Sequence, residues 1–146
     1  MSFLEELVKD GLINKSQIAT IKGRANEKFM GDIDQALIES GVAEEKILEA
    51  KGKFLQMPIK KIINGESSFD ALKYISEDSA EHYKFAPIEL TDGVLEVGVT
   101  NPDNIQAMDA LHFISAKLGI SFKIYLISKS DYEAIMETYK GIGSQV

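Results

Sequence analysis

The chain has 146 residues, a formal charge of −7, 45% hydrophobic and 27% charged residues, proportions that exclude wholesale disorder and fit one compact domain or two small ones. Zero Cys removes disulfides, thiolate metal sites and cysteine nucleophiles, and two histidines, His82 and His112, do not build a metal cage unaided. Charge is uneven: residues 1–60 carry nine basic and ten acidic side chains, whereas 61–146 carry seven and thirteen, so an anionic partner should prefer the first part.

Through residues 1–56 apolar positions recur at helical spacing, as in Phe3, Leu4, Leu7, Val8 and again in Ile18, Ile21, Ala25, which predicts short helices. Asn14 with Gln17, and Asp32 with Gln35, read as amide versions of a capping box at helix starts. An internal repeat displaced by 30 positions relates Leu7-Val8-Lys9-Asp10-Gly11-Leu12-Ile13 to Leu37-Ile38-Glu39-Ser40-Gly41-Val42-Ala43. Each copy reads as helix, glycine turn, helix, and two such hairpins packed together would bury both apolar faces.

Met57-Pro58 should end this region, because proline disfavours helical conformation in the residue before it, and Asn64-Gly65-Glu66-Ser67-Ser68 supplies turn chemistry. The division expected is a helical hairpin repeat subdomain at 1–60 and an α+β subdomain at 61–146. Short helices follow at about 69–75 and 77–84, the second capped by Ser76. From Pro87 the period changes to two, and Ile88-Glu89-Leu90 and Val94 to Val99 flank Asp92-Gly93 as a hairpin. A helix from about Asp103 to Leu118 ends at Gly119, and Phe122 to Ile127 alternates as a third strand. Ser130 and Glu133 read as the capping box of a last helix carrying Tyr132, Ile135, Met136 and Tyr139 on one side before Gly141, with an unstructured tail from Gly143. The fold class is therefore α+β: a helical hairpin bundle followed by a small three-stranded mixed sheet covered by helices.

Chemistry is sparse. A phosphate-binding loop needs clustered glycines followed by Lys and Ser or Thr, but Gly52-Lys53 is followed by Phe54, and Gly141-Ile142-Gly143 lacks the rest of a dinucleotide fingerprint. His82 and His112 fall in predicted helices, where an imidazole at the edge of the core is the ordinary reading, and Asp92, Asp103 and Asp109 fall where turns and helix starts favour Asp. No catalytic, metal-binding or cofactor-binding set emerges. Lys22, Arg24 and Lys28 invite a helix-turn-helix reading, but Arg24 is the sole Arg in an acidic chain, so no nucleic-acid partner is expected. No apolar run reaches the roughly 18 residues of a membrane span, and the start Phe3-Leu4-Glu5-Glu6 is acidic, so the expectation is a cytoplasmic protein without membrane insertion.

The order of motifs over roughly residues 2–141 resembles the N-terminal domain of the type II secretion and type IV pilus assembly ATPases. The resemblance is carried by Ile75-Ser76 with Ala80, Tyr83 and Pro87, then Gly93-Val94-Leu95-Glu96-Val97, then Thr100-Asn101-Pro102-Asp103 leading into Asp109, Leu111 and Phe113. The N-terminal repeats are similar to tandem motifs that bind cyclic di-GMP in pilus-type members, motifs that open with Arg-Leu-Gly and close with Gln. Here Ser2-Phe3-Leu4 and Asp32-Ile33-Asp34 stand at the opening triplets, and Ala25 and Phe54 fall near the closing positions.

The resemblance implies a non-catalytic docking or regulatory domain that binds the cytoplasmic part of an inner-membrane platform protein, with peripheral membrane association only through that partner. The ATPase chemistry of the family lies in a separate C-terminal domain, which would be a further partner if this chain is a fragment. Candidate partner contacts are Lys22, Arg24, Lys28, Lys46 and Lys53. The alternative is a cyclic di-GMP sensor built on Leu7, Val8, Gly11, Leu37, Ile38 and Gly41, residues that hairpin packing alone would also require.

Overall fold

A computed structural model describes residues 2–62 and 69–143, and the chain divides into two compact units, Met1–Met57 and Pro58–Val146. The turn expected at Asn64 to Ser68 and the tail beyond Gly143 lie outside the described residues.

The first unit is helical: α1 (Phe3–Lys9), a 3-10 turn at Lys15–Gln17 running into α2 (Ile18–Lys28), α3 (Ile33–Glu39) and α4 (Glu44–Leu55). α1 packs against α4, and α3 packs against both α2 and α4. Leu4, Leu7, Ile13, Ile21, Ala25, Ala36, Leu37, Ile47 and Ala50 form one core, so the helical spacing legible in the sequence faces inward as amphipathic helices must. Local chemistry sets the helix starts. Ser2 Oγ accepts from Glu5 N–H at 3.2 Å, Asp32 Oδ1 accepts from Gln35 N–H at 3.1 Å, and Gln17 Oε1 accepts from Asn14 N–H at 2.7 Å.

The second unit begins before its sheet. Pro58 C=O accepts from Leu126 N–H and Lys60 N–H donates to Leu126 C=O, so residues 58–60, assigned to the first segment from sequence, pair in parallel with a strand of the second. That strand is β3 (Ser121–Leu126), in a sheet ordered β1 (Phe85–Thr91), β2 (Val94–Val99), β3. β1 and β2 are antiparallel, and β2 and β3 are parallel, which is the mixed three-stranded sheet expected. The hairpin turns on Asp92 (φ 51°) and Gly93 (φ 78°), two left-handed residues that match the right-handed strand twist. β1 starts at Phe85, two residues before Pro87, and its register shifts between Pro87 and Glu89; a proline without an N–H is tolerated there because β1 is an edge strand.

Helices α5 (Phe69–Leu72), α6 (Glu77–Tyr83) and α8 (Lys129–Gly143) pack on β1, and α7 (Ile105–Leu118) packs on β3. α5 is a single turn rather than the run to residue 75 that periodicity suggested, and α7 starts one residue after its cap Asn104, not at Asp103. The start of α8 differs from the sequence expectation: Ser128, not Ser130, accepts the capping bond, from Asp131 N–H at 3.1 Å. Ile127 fixes this phase, because its N–H donates to Val99 C=O and its buried side chain packs over Gly98, so the strand leaves the sheet one residue before Ser128. α8 also runs through Gly141 to Gly143.

A Cβ built on Gly98 would meet three atoms of the Ile127 side chain at 2.5–2.9 Å. Ile127 is branched and 2% exposed, so it has little room to yield. Gly98→Ala should therefore cost about 1–3 kcal/mol in urea denaturation, the usual penalty for an overfilled core.

Tyr132, Ile135, Met136 and Tyr139 of α8 are all buried, as their spacing indicates. The two phenols end on backbone carbonyls: Tyr132 donates to Ala80 C=O at 2.8 Å and Tyr139 to Ile75 C=O at 2.7 Å. Burial, with Glu81 and Glu133 nearby, pushes the Tyr132 phenol up to about 12, and burial with Glu77 nearby raises Tyr139 as well. Both groups hold their proton more tightly folded than unfolded, so the stability they contribute is complete below the ordinary tyrosine value near 10 and is lost as pH rises through the folded values. A denaturation midpoint flat from neutral pH to about 9.5 and falling above about 10 is expected, and Tyr132→Phe should shrink that fall.

Candidate functional site

The repeat closes both of its short helices in the same way. At the end of α1, Gly11 N–H donates to Val8 C=O and Leu12 N–H to Leu7 C=O, both at 3.0 Å; at the end of α3, Gly41 N–H donates to Ile38 C=O at 3.0 Å and Val42 N–H to Leu37 C=O at 3.1 Å. This paired bonding satisfies the last carbonyls of a helix and requires a left-handed residue at the glycine, here at φ 78° and 98°. Leu7 and Leu37 are fully buried, while Val8 and Ile38 are half-buried against the same core. A Cβ on either glycine would meet nothing within 4 Å, so the backbone conformation, not close packing, demands glycine. The six candidate residues Leu7, Val8, Gly11, Leu37, Ile38 and Gly41 thus form two matched helix ends.

The positions flanking those ends have structural roles. Ser2 and Asp32, which open the two repeats, are the N-caps of α1 and α3. Ala25 is fully buried, and Phe54 meets the Phe3 ring edge to face with centroids 5.8 Å apart. None of these side chains supplies the planar cationic donor that a phosphodiester or guanine would need.

The five cations do not form one face. On α2, Arg24 Nη2 lies 2.8 Å from Glu39 Oε1 and Lys28 Nζ lies 3.0 Å from Glu39 Oε2, so both close on one carboxylate of α3. The Lys28 ammonium and the Arg24 guanidinium hold the Glu39 carboxyl below the usual carboxylate range. Lys22 sits about 200° around α2 from Arg24 at helical geometry, is exposed, and has no ion pair among the described residues. Lys46 pairs with Glu49 at 3.8 Å along α4, and Lys53 approaches Glu6 and Asp10 at 3.9 and 3.7 Å. Sequence reasoning missed the carboxylate partners Glu39, Glu6 and Asp10, because each pair joins residues at least 11 positions apart and no local spacing marks it.

In the second unit His82 and His112 are exposed rather than packed at a core edge, His82 meeting the Tyr83 ring edge to face at 4.6 Å. Asp92 is in the hairpin turn, Asp103 N–H donates to Asn101 Oδ1 at 3.1 Å ahead of α7, and Asp109 lies within α7. Among the described residues no group of three His, Asp or Glu could hold a metal ion, and no helix is long and apolar enough to cross a membrane.

The MshEN domain model matches residues 55–145, a stretch dominated by the second unit. The type IV pilus assembly ATPase PilB of Myxococcus xanthus (strain DK1622) is 26% identical over 137 residues, covering 92% of this chain and 23% of that protein, so the chain spans about a quarter of that relative's length. MshE solved with cyclic di-GMP shares the fold at a TM-score of 0.75 and 16% identity, covering 95% of this chain and 99% of that one. The N-terminal domain of XpsE follows at 0.64 and 15%, covering 94% and 92%. With the helical repeats, the mixed sheet and the matched residues together, the chain belongs to the MshEN domain family of secretion and pilus ATPase N-terminal domains.

Proposed function

We propose that the chain is a non-catalytic docking domain of a secretion or pilus motor ATPase, whose helical unit engages the cytoplasmic part of an inner-membrane platform protein. The observation that carries this reading is what the ends of the repeats do: Ser2 and Asp32 cap helices, Ala25 is core and Phe54 meets the Phe3 ring edge to face, beside two matched helix ends. A scaffold with no cationic donor at those four positions suits recognition of a protein. Lys22, Arg24, Lys28, Lys46 and Lys53 steer the encounter, and a few apolar side chains supply affinity. Arg24 and Lys28 act together through Glu39, so a partner carboxylate reaching them competes with it. The domain works in the cytoplasm and meets the membrane only through this partner, with ATP turnover left to another domain.

Titration of the platform protein's cytoplasmic domain into this chain tests the reading. Saturable binding that weakens at least about tenfold when Lys22, Arg24 and Lys28 are all reversed to Glu, with a steep loss in added salt, is expected. Binding unchanged by the reversal would remove that surface from the reading.

A second reading has its own support in the fold shared with MshE solved with cyclic di-GMP. On it, cyclic di-GMP would sit against Leu7, Val8, Gly11, Leu37, Ile38 and Gly41, using the open space above the two glycines. It predicts saturable binding of that nucleotide at micromolar concentration and loss of binding when Gly11 and Gly41 are replaced.

A further inference from the structure

The second unit exposes apolar surface that its own fold leaves uncovered. On α7, Ile105 is 73% exposed and Phe113 69% exposed. Beside them runs an open groove of about 840 Å³, with Tyr74, Ser79 and Tyr83 on one wall and Asp109, Phe113 and Lys117 on the other. Ile105, Asp109, Phe113 and Lys117 follow one another at intervals of four, so they form a single ridge along the helix.

The charges on this ridge are arranged symmetrically about its aromatic centre. Asp109 lies four residues before Phe113 and Lys117 four residues after it, each about 6 Å along the axis. Both are exposed, and neither has an ion pair among the described residues. A ridge with this order is complementary to itself when reversed. Two copies of α7 crossing antiparallel with Phe113 at the crossing point bring Asp109 of each copy to Lys117 of the other and bury the two phenyl rings together.

We propose that the α7 ridge is a two-fold interface at which a second copy of this chain docks, with Phe113 as anchor and Asp109 and Lys117 as the reciprocal charge pair. Such an isologous contact uses one patch twice and closes on itself, so it stops at a dimer. Ridge-into-groove packing of the i, i+4 rows gives a crossing at which a lysine still reaches the opposed carboxylate. The surface is independent of the cations proposed for platform docking, which all belong to the first unit.

Sedimentation velocity of the full chain over a concentration series tests this. The expected result is a reversible monomer–dimer equilibrium. Asp109→Lys and Lys117→Asp should each weaken it by about tenfold or more, since each sets like charges against one another at two symmetry-related places. The combined variant D109K/K117D restores the opposite-charge pairs and should return to within about threefold of the parent chain. Phe113→Ala should lose the dimer while its circular dichroism stays unchanged, because the ring lies outside the core. A chain that stays monomeric to about millimolar concentration overturns the proposal, as it would if the groove took a helix of another protein. Equal dimerisation by the single charge variants, or failure of the combined variant to recover, overturns it too.

Discussion

Leu7→Ala and Leu37→Ala should each lower the stability of the helical unit by about 2–5 kcal/mol, measured by urea denaturation followed by helical circular dichroism. Both leucines are fully buried, both stand at the same place in the repeat, and both donate a side chain to one shared core. Each also precedes a glycine-closed helix end, so the cavity opens where the chain turns and the backbone has two hydrogen bonds to keep. A unit of fewer than sixty residues has small reserves, and a loss of that size is expected to leave it largely unfolded near body temperature. Gly11→Ala and Gly41→Ala make the comparison, because open space surrounds both glycines and only the left-handed backbone is penalised, at about 1–2 kcal/mol. A leucine variant no worse than its glycine neighbour would show that the repeats do not share a core.

Phe85→Ala is expected to be the most damaging single truncation in the second unit, at about 3–5 kcal/mol. Among the described residues Phe85 is the largest fully buried side chain; it opens β1 opposite Val99 and lies 5.4 Å from the Tyr83 ring in a stacked arrangement. α5, α6 and α8 all pack on this one edge strand, so a cavity there is felt by three helices at once. The α8 tyrosines bonded to Ile75 and Ala80 should loosen with it, and amide exchange in α6 should accelerate. A cost below about 1.5 kcal/mol would mean that the helices hold one another without the strand.

The fold was legible where one local interaction decides the structure. Asp92-Gly93 between alternating strands, Gly119 after α7, Ser76 ahead of α6 and the repeated Leu-x-x-x-Gly pattern each carry their own conformational reason, and each sits where the sequence indicated. Two overlapping signals could not be separated from sequence. Ser128 and Ser130 are each followed three residues later by an acid, and only the packing of Ile127 over Gly98 selects Ser128. β1 likewise begins before Pro87 because Phe85 and Ala86 are needed in the core, a tertiary demand that no residue spacing announces.

The candidate site was legible in outline only. The repeat located the two helix ends, but the grouping of its cations depends on carboxylates from other helices. Glu39 gathers Arg24 and Lys28 and leaves Lys22 on the far side of α2. The α7 ridge escaped notice for a different reason: helical periodicity marks Phe113 as an apolar position, yet α7 meets the sheet through Ala107 and Leu111 and turns Phe113 outward. Periodicity reports that a face is apolar, and only the packing tells which face is used.

The proposed docking function rests on repeat ends that serve as caps and core at Ser2, Asp32, Ala25 and Phe54. Calorimetric titration of cyclic di-GMP into the 146-residue chain tests it most directly. No saturable heat is expected through the micromolar range, with binding to the platform protein's cytoplasmic domain intact in the same preparation. Saturable micromolar binding of the nucleotide, lost in a Gly11, Gly41 double variant that still folds, would contradict it.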